Sequence, residues 1–483
     1  MTPVLARGVI GSVMVLLGGI VVATLPPGSL LHHAFLVRLR ADEAARIAAL
    51  AVVLIGLGVL SHAWLTLCRY AASHRGSLPL VRSAALWWSA PLMLAPPLFS
   101  RDGWSYAAQG AMAGLGISPY HFGPAALGGD LMQAVDPMWR HTLTPYGPLP
   151  VWWGGVISHL TQTPLGLVMG YRALALIGLA LLVWAVPRLA EWTSADPGLA
   201  AALVVASPLL LTCGIAGLHN DILVAGLAAA ALVLGREHWR IAAVVVGLAA
   251  AVKVPGGLVG VAVALVSLPI AATTAERLRR LAEVGAISLA TLVGLGWITG
   301  LGSGWIDALT VPGGLTTVLS VPTMLGHGLD ALVASLHLGL PARGFTVVLR
   351  DLGSVGILVC AAYAALRLPS GRPGAAVRAA AFVALTSALL GPSVHLWYLL
   401  WALPFVGALP LRKRAMAAFV AISLIFGLTA PMDTSWHGVY VAVIGGSALI
   451  AMLLAGILLT RDGRRSMVRI SAPSYEREYE LAG

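Results

Sequence analysis

The chain has 483 residues, 59% of them hydrophobic and only 10% charged, with a mean hydropathy of +0.89. No water-soluble fold of this length hides so much apolar surface, so the solvent is lipid, where a crossing helix needs roughly 20 apolar residues. The formal charge of +11 does not point to nucleic acid, because the basic residues fall in short clusters between apolar runs, as the positive-inside rule requires.

The first apolar run, 9–25, lacks a small-residue cleavage site and reads as a retained span rather than a signal peptide. Further runs follow at 47–67, 83–99, 164–186, 198–217, 221–235, 241–252, 256–270, 281–298, 345–367, 378–392, 396–410, 415–430 and 439–459. They predict an all-α polytopic membrane protein, a single domain over 1–483 with roughly 12–14 transmembrane helices. A β-barrel would show short alternating segments instead. The cysteines Cys68, Cys213 and Cys360 lie in or beside apolar runs with no metal or disulfide spacing, and read as packing residues.

Clusters at Arg69/Arg75/Arg82, Arg236/Arg240, Arg277/Arg279/Arg280, Arg372/Arg378, Arg412/Lys413/Arg414 and Arg461/Arg464/Arg465 mark the cytoplasmic side. Arg38, Arg40 and Arg46 fall on the other side, partly offset by Asp42 and Glu43. This threading puts two long segments outside, 100–163 and 299–344, with a cytoplasmic tail over 460–483. Shorter outer turns hold "GLHND" (217–221), "GPSVHLW" (391–397) and "PMDTSWHG" (431–438). The runs 241–252 and 256–270, separated by "VKVPGG", read as half-length helices meeting at a break. Such breaks survive in a membrane only where protein or a cavity covers the backbone.

Asp102, in "PLFSRDGWSYAAQG", follows directly on the run 83–99. The plain reading is an interfacial Arg101–Asp102 pair that caps a helix; the functional one is a general base at the edge of a cavity. The segment after it carries Trp104, Tyr106, Tyr120, Phe122, Trp139, Tyr146, Trp152 and Trp153. Some suit an interfacial belt; "TPYGPLPVWW" (144–153) reads as a proline-pinned wall against which a sugar ring could stack, with 150–160 lying in the interface.

Lys253 and Lys413 are the only lysines among 30 basic residues, and Lys253 stands inside an apolar stretch. A cation there costs about 2.5–3.5 kcal/mol unless it finds a partner or water, so Lys253 reads as an anchor for an anionic head group such as a lipid phosphate. His219, Asn220 and Asp221 fit ordinary turn chemistry or a polar site, in which Asn220 and Asp221, together with Trp104, Tyr106, Tyr120, Tyr146, His395, Trp397 and Tyr398, would bind the sugar or acceptor. His219 and the intramembrane Arg172 are further phosphate ligands on the functional reading. His395, Trp397 and Tyr398 repeat the polar-aromatic pattern, while His327, Arg350 and Asp433 read as structural. No Walker A, Rossmann fingerprint, HExxH or GxSxG motif is present, and nothing calls for a cofactor or metal.

A carboxylate, aromatic walls and buried cations on one face suit glycosyl transfer from a lipid-phosphate sugar. One carboxylate takes the acceptor proton, and cations absorb the charge of the phosphate that leaves. "SRDGWSYAAQG", "ISPYHFGP", "TPYGPLPVWW", "GLHND", "VKVPG" and "HLWYLLWALP" occur in order over about Leu94 to Pro410. In these the chain resembles the polyprenol-phosphate-mannose-dependent α-1,6-mannopyranosyltransferases of mycobacteria and corynebacteria, of the integral-membrane GT-C class.

The resemblance implies a GT-C-type bundle in the plasma membrane with its site outside and Asp102 as the acidic catalytic residue. It implies decaprenyl-phosphate-mannose as donor and a growing α-1,6-mannan of phosphatidylinositol-mannoside type, as in lipomannan and lipoarabinomannan, as acceptor. Many GT-C enzymes carry an acidic pair in that loop; here Gly103 follows Asp102, and no divalent metal is expected. Three other readings stand beside this one: a lipid-linked-sugar flippase, an α-1,2 side-branch transferase of the same class, and a non-catalytic scaffold for cell-wall assembly.

Overall fold

Residues 2–29, 31, 33–311, 317, 319–337, 339–432 and 440–460 are described by a computed structural model, and every regular element among them is helical. Asp433 with most of its turn, the Arg461/Arg464/Arg465 cluster and the tail beyond Thr460 lie outside the described residues. So do 312–316 within the second long segment.

Six described helices are long and apolar enough to cross a membrane: Pro3–Val22, Glu43–Ser73, Pro164–Trp192, Thr274–Ile298, Gly344–Arg367 and Pro373–Leu390. A seventh counts if Pro197–Val205 and the π-helix Leu210–Ala216, bent by 55°, form one span. The length criterion therefore finds fewer crossings than the expected 12–14. Much of the apolar sequence lies in shorter helices such as Asp221–Gly235, Trp239–Val252 and Val254–Val266. These satisfy their backbone groups internally, as lipid demands, and rest against neighbouring helices.

The run 83–99 is not one continuous helix. Its helix, Leu78–Met93, ends before Pro96 and Pro97, because a proline disfavours helical geometry in the residue before it and brings no N–H of its own. The chain continues without helix until Asp102 opens Asp102–Gly114. The segment 100–163 is likewise no open excursion. Asp102–Gly114 packs on Pro148–Leu160 so closely that a Cβ on Gly110 would sit 2.6 Å from the Gly154 Cα.

Small residues set the other close crossings, as is usual where helices meet in lipid. A Cβ on Gly226 would lie 2.6 Å from the Gly178 carbonyl, which seats the Asp221–Gly235 helix against Pro164–Trp192. Around Lys253 the chain doubles back. Trp239–Val252 ends with Lys253 in extended geometry (φ −156°, ψ 125°), and a 3-10 turn, Val254–Val259, leads into Gly260–Val266. A Cβ on Gly256 would meet the Ala249 carbonyl at 2.8 Å, and one on Gly260 would touch Val246. The two halves are therefore antiparallel.

The bundle is polarised. Arg277 donates to the carbonyls of Ala365 and Leu368, and Arg280 to that of Ser267, so these basic ends gather at one end of the helices. Asp102, Asp221 and Lys253 stand at helix ends away from that cluster. Arg40, one of the basic residues on the unexpected side, donates to the carbonyls of Ile20, Val21 and Ala23. It closes the C-terminus of the first helix, where a cation is favoured on electrostatic grounds.

Candidate active site

Two strained turns bring the polar residues together. Phe99 (φ 70°) precedes Asp102 and Leu218 (φ 59°) precedes His219; non-glycine residues adopt such angles only where the surroundings enforce them. The Leu98 N–H donates to the Ala216 carbonyl at 3.0 Å, tying the turns to each other. Gly103 lies between them: a Cβ there would meet Pro97 at 2.6 Å and Leu218 at 3.2 Å. A second carboxylate directly after Asp102 is thus excluded by packing.

Arg172 lies beneath the two turns, 1% exposed. Its guanidinium donates to the carbonyls of Ile215, Ala95, Pro96 and Ala216. The expected phosphate contact is corrected: both terminal nitrogens of Arg172 are directed at main chain, and it braces the turns that carry Asp102 and His219.

Asp102 is buried and its Oδ2 lies 3.5 Å from the Tyr106 hydroxyl, which in turn is 2.9 Å from the Tyr146 hydroxyl. Tyr146 reaches this place because Gly147 passes over the end of Trp239–Val252. The Gly147 N–H donates to the Val252 carbonyl, and a Cβ on Gly147 would clash with the Ala251 carbonyl oxygen.

On the far side of Tyr146 stands Lys253. Its Nζ is 3.1 Å from Asp221 Oδ1 and lies 4.0 Å from the ring centre of Tyr398, 5.2 Å from Trp401 and 5.5 Å from Tyr146. The carboxylate and three π faces supply what a buried ammonium needs. Trp401, missed by sequence reasoning, donates its Nε1–H to the same Asp221 oxygen at 2.7 Å. The signal was its spacing: Leu396–Trp401 is a 3-10 helix, in which i and i+3 eclipse, so Tyr398 and Trp401 stack with centroids 4.5 Å apart.

His219 stacks on Trp397 at 3.7 Å and His395 stacks on that indole at 4.6 Å. Both imidazoles sit in turns outside the spans, and burial lowers each to about 3, so both are neutral. His219 Nδ1 lies 2.8 Å from the Cys213 carbonyl, and its Nε2 lies 3.7 Å from Asp102 Oδ2. A neutral ring that gives Nδ1–H to a carbonyl presents a lone pair at Nε2, so the donor role to phosphate expected of His219 is also corrected. Asn220 Nδ2 is buried without a hydrogen-bond partner and remains a free donor.

Three further expectations change. Trp104 is wholly buried and donates to the Thr24 carbonyl. Tyr120 donates to the Tyr146 carbonyl and packs on Gly304. Both are framework rather than sugar platforms. Asp221 is fully buried against Lys253 and Trp401, which takes it from acceptor binding to holding the cation.

Beside Lys253 opens a cavity of about 490 Å³, bounded by Tyr146, Pro255, Leu358, Pro392, Tyr398 and Trp401 among others, mostly apolar, with Lys253 in its wall. No cluster able to hold a metal occurs among the described residues.

A helical membrane protein with a buried carboxylate and a buried ammonium flanking an apolar cavity is the class that fold and site define. Residues 5–269 match the family model described as "Alpha-(1->6)-mannopyranosyltransferase, N-terminal domain", and residues 322–461 match that of the "MptB C-terminal domain". A Mycolicibacterium smegmatis protein named "Probable alpha-(1->6)-mannopyranosyltransferase" is 32% identical, over 83% of this chain and 78% of its own length. "Alpha-(1->6)-mannopyranosyltransferase A" of Mycobacterium tuberculosis is 31% identical, over 86% and 82% respectively. "Alpha-(1->6)-mannopyranosyltransferase B" of Corynebacterium glutamicum is 29% identical, over 83% and 73%. The chain belongs to the α-(1→6)-mannopyranosyltransferase family and is a membrane-spanning mannosyltransferase.

Proposed function

We propose that the chain transfers mannose, with inversion, from polyprenyl-phosphate-mannose to a growing α-1,6-mannan of phosphatidylinositol-mannoside type, on the outer face of the plasma membrane. One observation carries the reading. Asp102 and Lys253 belong to a single buried network through Tyr106 and Tyr146, and among the described residues Lys253 is the charged group that lines the apolar cavity.

The chemistry follows from that arrangement. An acceptor hydroxyl attacks the anomeric carbon while Asp102 takes its proton, a role worth about 10²–10⁴ in rate. The new C–O bond forms as the anomeric C–O bond to phosphate breaks, and the electron pair leaves with the polyprenyl phosphate. Lys253 meets that anion, aided by the Asn220 amide. Such fixed charges act strongly where water is excluded. The prenyl chain lies in the apolar cavity and passes between helices into lipid. A β-linked donor then yields an α product. Grouping of the site away from the basic helix ends supports the outer-face placement.

The test is to supply isolated membranes with labelled polyprenyl-phosphate-mannose and a short α-1,6-mannoside, then determine the linkage of the product. An α-1,6-linked mannose supports the proposal. Transfer only from a nucleotide sugar, or appearance of an α-1,2 linkage, overturns it.

A further inference from the structure

The turn 391–394 borders the apolar cavity, and its backbone is fixed from the segment 317–323. Ser320 donates its hydroxyl to the Gly391 carbonyl and Thr323 to that of Pro392, each at 2.7 Å. The Val394 N–H donates to the Thr317 hydroxyl at 2.8 Å. These three bonds hold Ser393 in place without using its side chain. Ser393 lines the cavity and is 2% exposed, and its Oγ is buried with no hydrogen-bond partner. The other buried serine hydroxyls in that condition, those of Ser12, Ser61, Ser77, Ser89 and Ser423, line none of the described cavities. Ser354 lines the same cavity but donates to the Arg350 carbonyl.

Lys253, the cation in that wall, is already paired. Asp221 Oδ1 lies 3.1 Å from its Nζ and also accepts from Trp401. A phosphate entering beside Lys253 therefore meets a formally neutral pair and gains little from net charge. Its oxygens have to be held by hydrogens. The Tyr398 hydroxyl adjoins both Ser393 and Lys253 without closing a hydrogen bond to the serine, so two hydroxyls and an ammonium share one stretch of wall. Fixed donors of this kind act strongly on an anion where water is excluded. We propose that Ser393 is a phosphate-binding residue: its hydroxyl donates to a non-bridging oxygen of a prenyl phosphate seated beside Lys253. The inference rests on the lipid-phosphate donor of the proposed function and adds an uncharged side chain that recognises the phosphate.

The test compares farnesyl phosphate with farnesol, which share one chain and differ by the phosphate, in calorimetric titrations of the full chain in detergent. Comparing the ratio of the two Kd values between proteins cancels partition of each probe into micelles. The unsubstituted protein should bind farnesyl phosphate at least about tenfold more tightly than farnesol. A hydrogen bond to a charged group is worth about tenfold or more in affinity. Ser393→Ala should accordingly shrink that ratio at least about fivefold and move the farnesol Kd less than about twofold. Ser393→Cys, close in shape but a weak donor, should do the same, and it decides if Ser393→Ala does not accumulate.

An undiminished ratio in the variant overturns the inference. Equal weakening of both probes also overturns it, because Ser393 would then serve only the shape of the cavity. If the unsubstituted protein shows no preference for the phosphate, the lipid-phosphate reading itself falls and takes the inference with it. A failure at Ser393 alone leaves that preference standing, so the two failures are told apart.

Discussion

The Lys253 ammonium sits 3.1 Å from the Asp221 carboxylate, and the pair joins the break in one helical hairpin to the first turn of the Asp221–Gly235 helix. Removing one partner of a buried pair leaves an uncompensated charge, at a cost of about 3–5 kcal/mol. Asp221→Ala should therefore lower the amount of folded protein more than Lys253→Ala does, because Lys253 keeps a charge that no other carboxylate among the described residues pairs with. Lys253→Met keeps the side-chain volume and leaves Asp221 its Trp401 hydrogen bond, so it should accumulate better than Asp221→Ala and raise the donor KM at least tenfold with little change for the acceptor. Detergent-solubilised thermal melting and donor titrations check both. Equal effects of Lys253→Met on the two substrates would remove the phosphate contact.

Asp102→Asn keeps the shape of the side chain and removes the base. Transfer should drop about 10²–10⁴-fold with donor binding and expression intact, read from initial rates in membranes containing equal amounts of protein. Turnover at the unsubstituted rate would take Asp102 out of the reaction.

Arg172 offers a separate check on positioning. Four carbonyls share its guanidinium, and a lysine presents a compact charge that cannot fork across both turns. Arg172→Lys should lower kcat at least tenfold while the donor KM moves less than about threefold. A selective rise in donor KM would instead restore the phosphate role that the sequence suggested.

Gly103→Asp recreates the acidic pair many GT-C enzymes carry in this loop. Here its Cβ would meet Pro97 at 2.6 Å and Leu218 at 3.2 Å, and overpacking of a buried site costs about 1–3 kcal/mol. The variant should melt several degrees lower and lose activity without acquiring dependence on a divalent cation. Activity stimulated by added magnesium or manganese would count against that account.

Composition and apolar runs by themselves fixed an α-helical membrane protein, because a chain that is 59% hydrophobic is at home in lipid, where helices satisfy their backbone hydrogen bonds internally. They also marked Asp102 and Lys253, since a charge in an oily stretch is costly enough to stand out by type alone. Local sequence also located the break at Lys253, where a proline and two glycines end one helix. What each polar group faces was settled by tertiary structure. Arg172 and Lys253 are both cations among apolar neighbours, yet one meets four main-chain carbonyls and the other a carboxylate and aromatic faces. Those partners come from segments far apart in the chain, 95–96 and 215–216 for Arg172 and 221 with 398–401 for Lys253. No local pattern encodes which of them a side chain will reach once the helices pack.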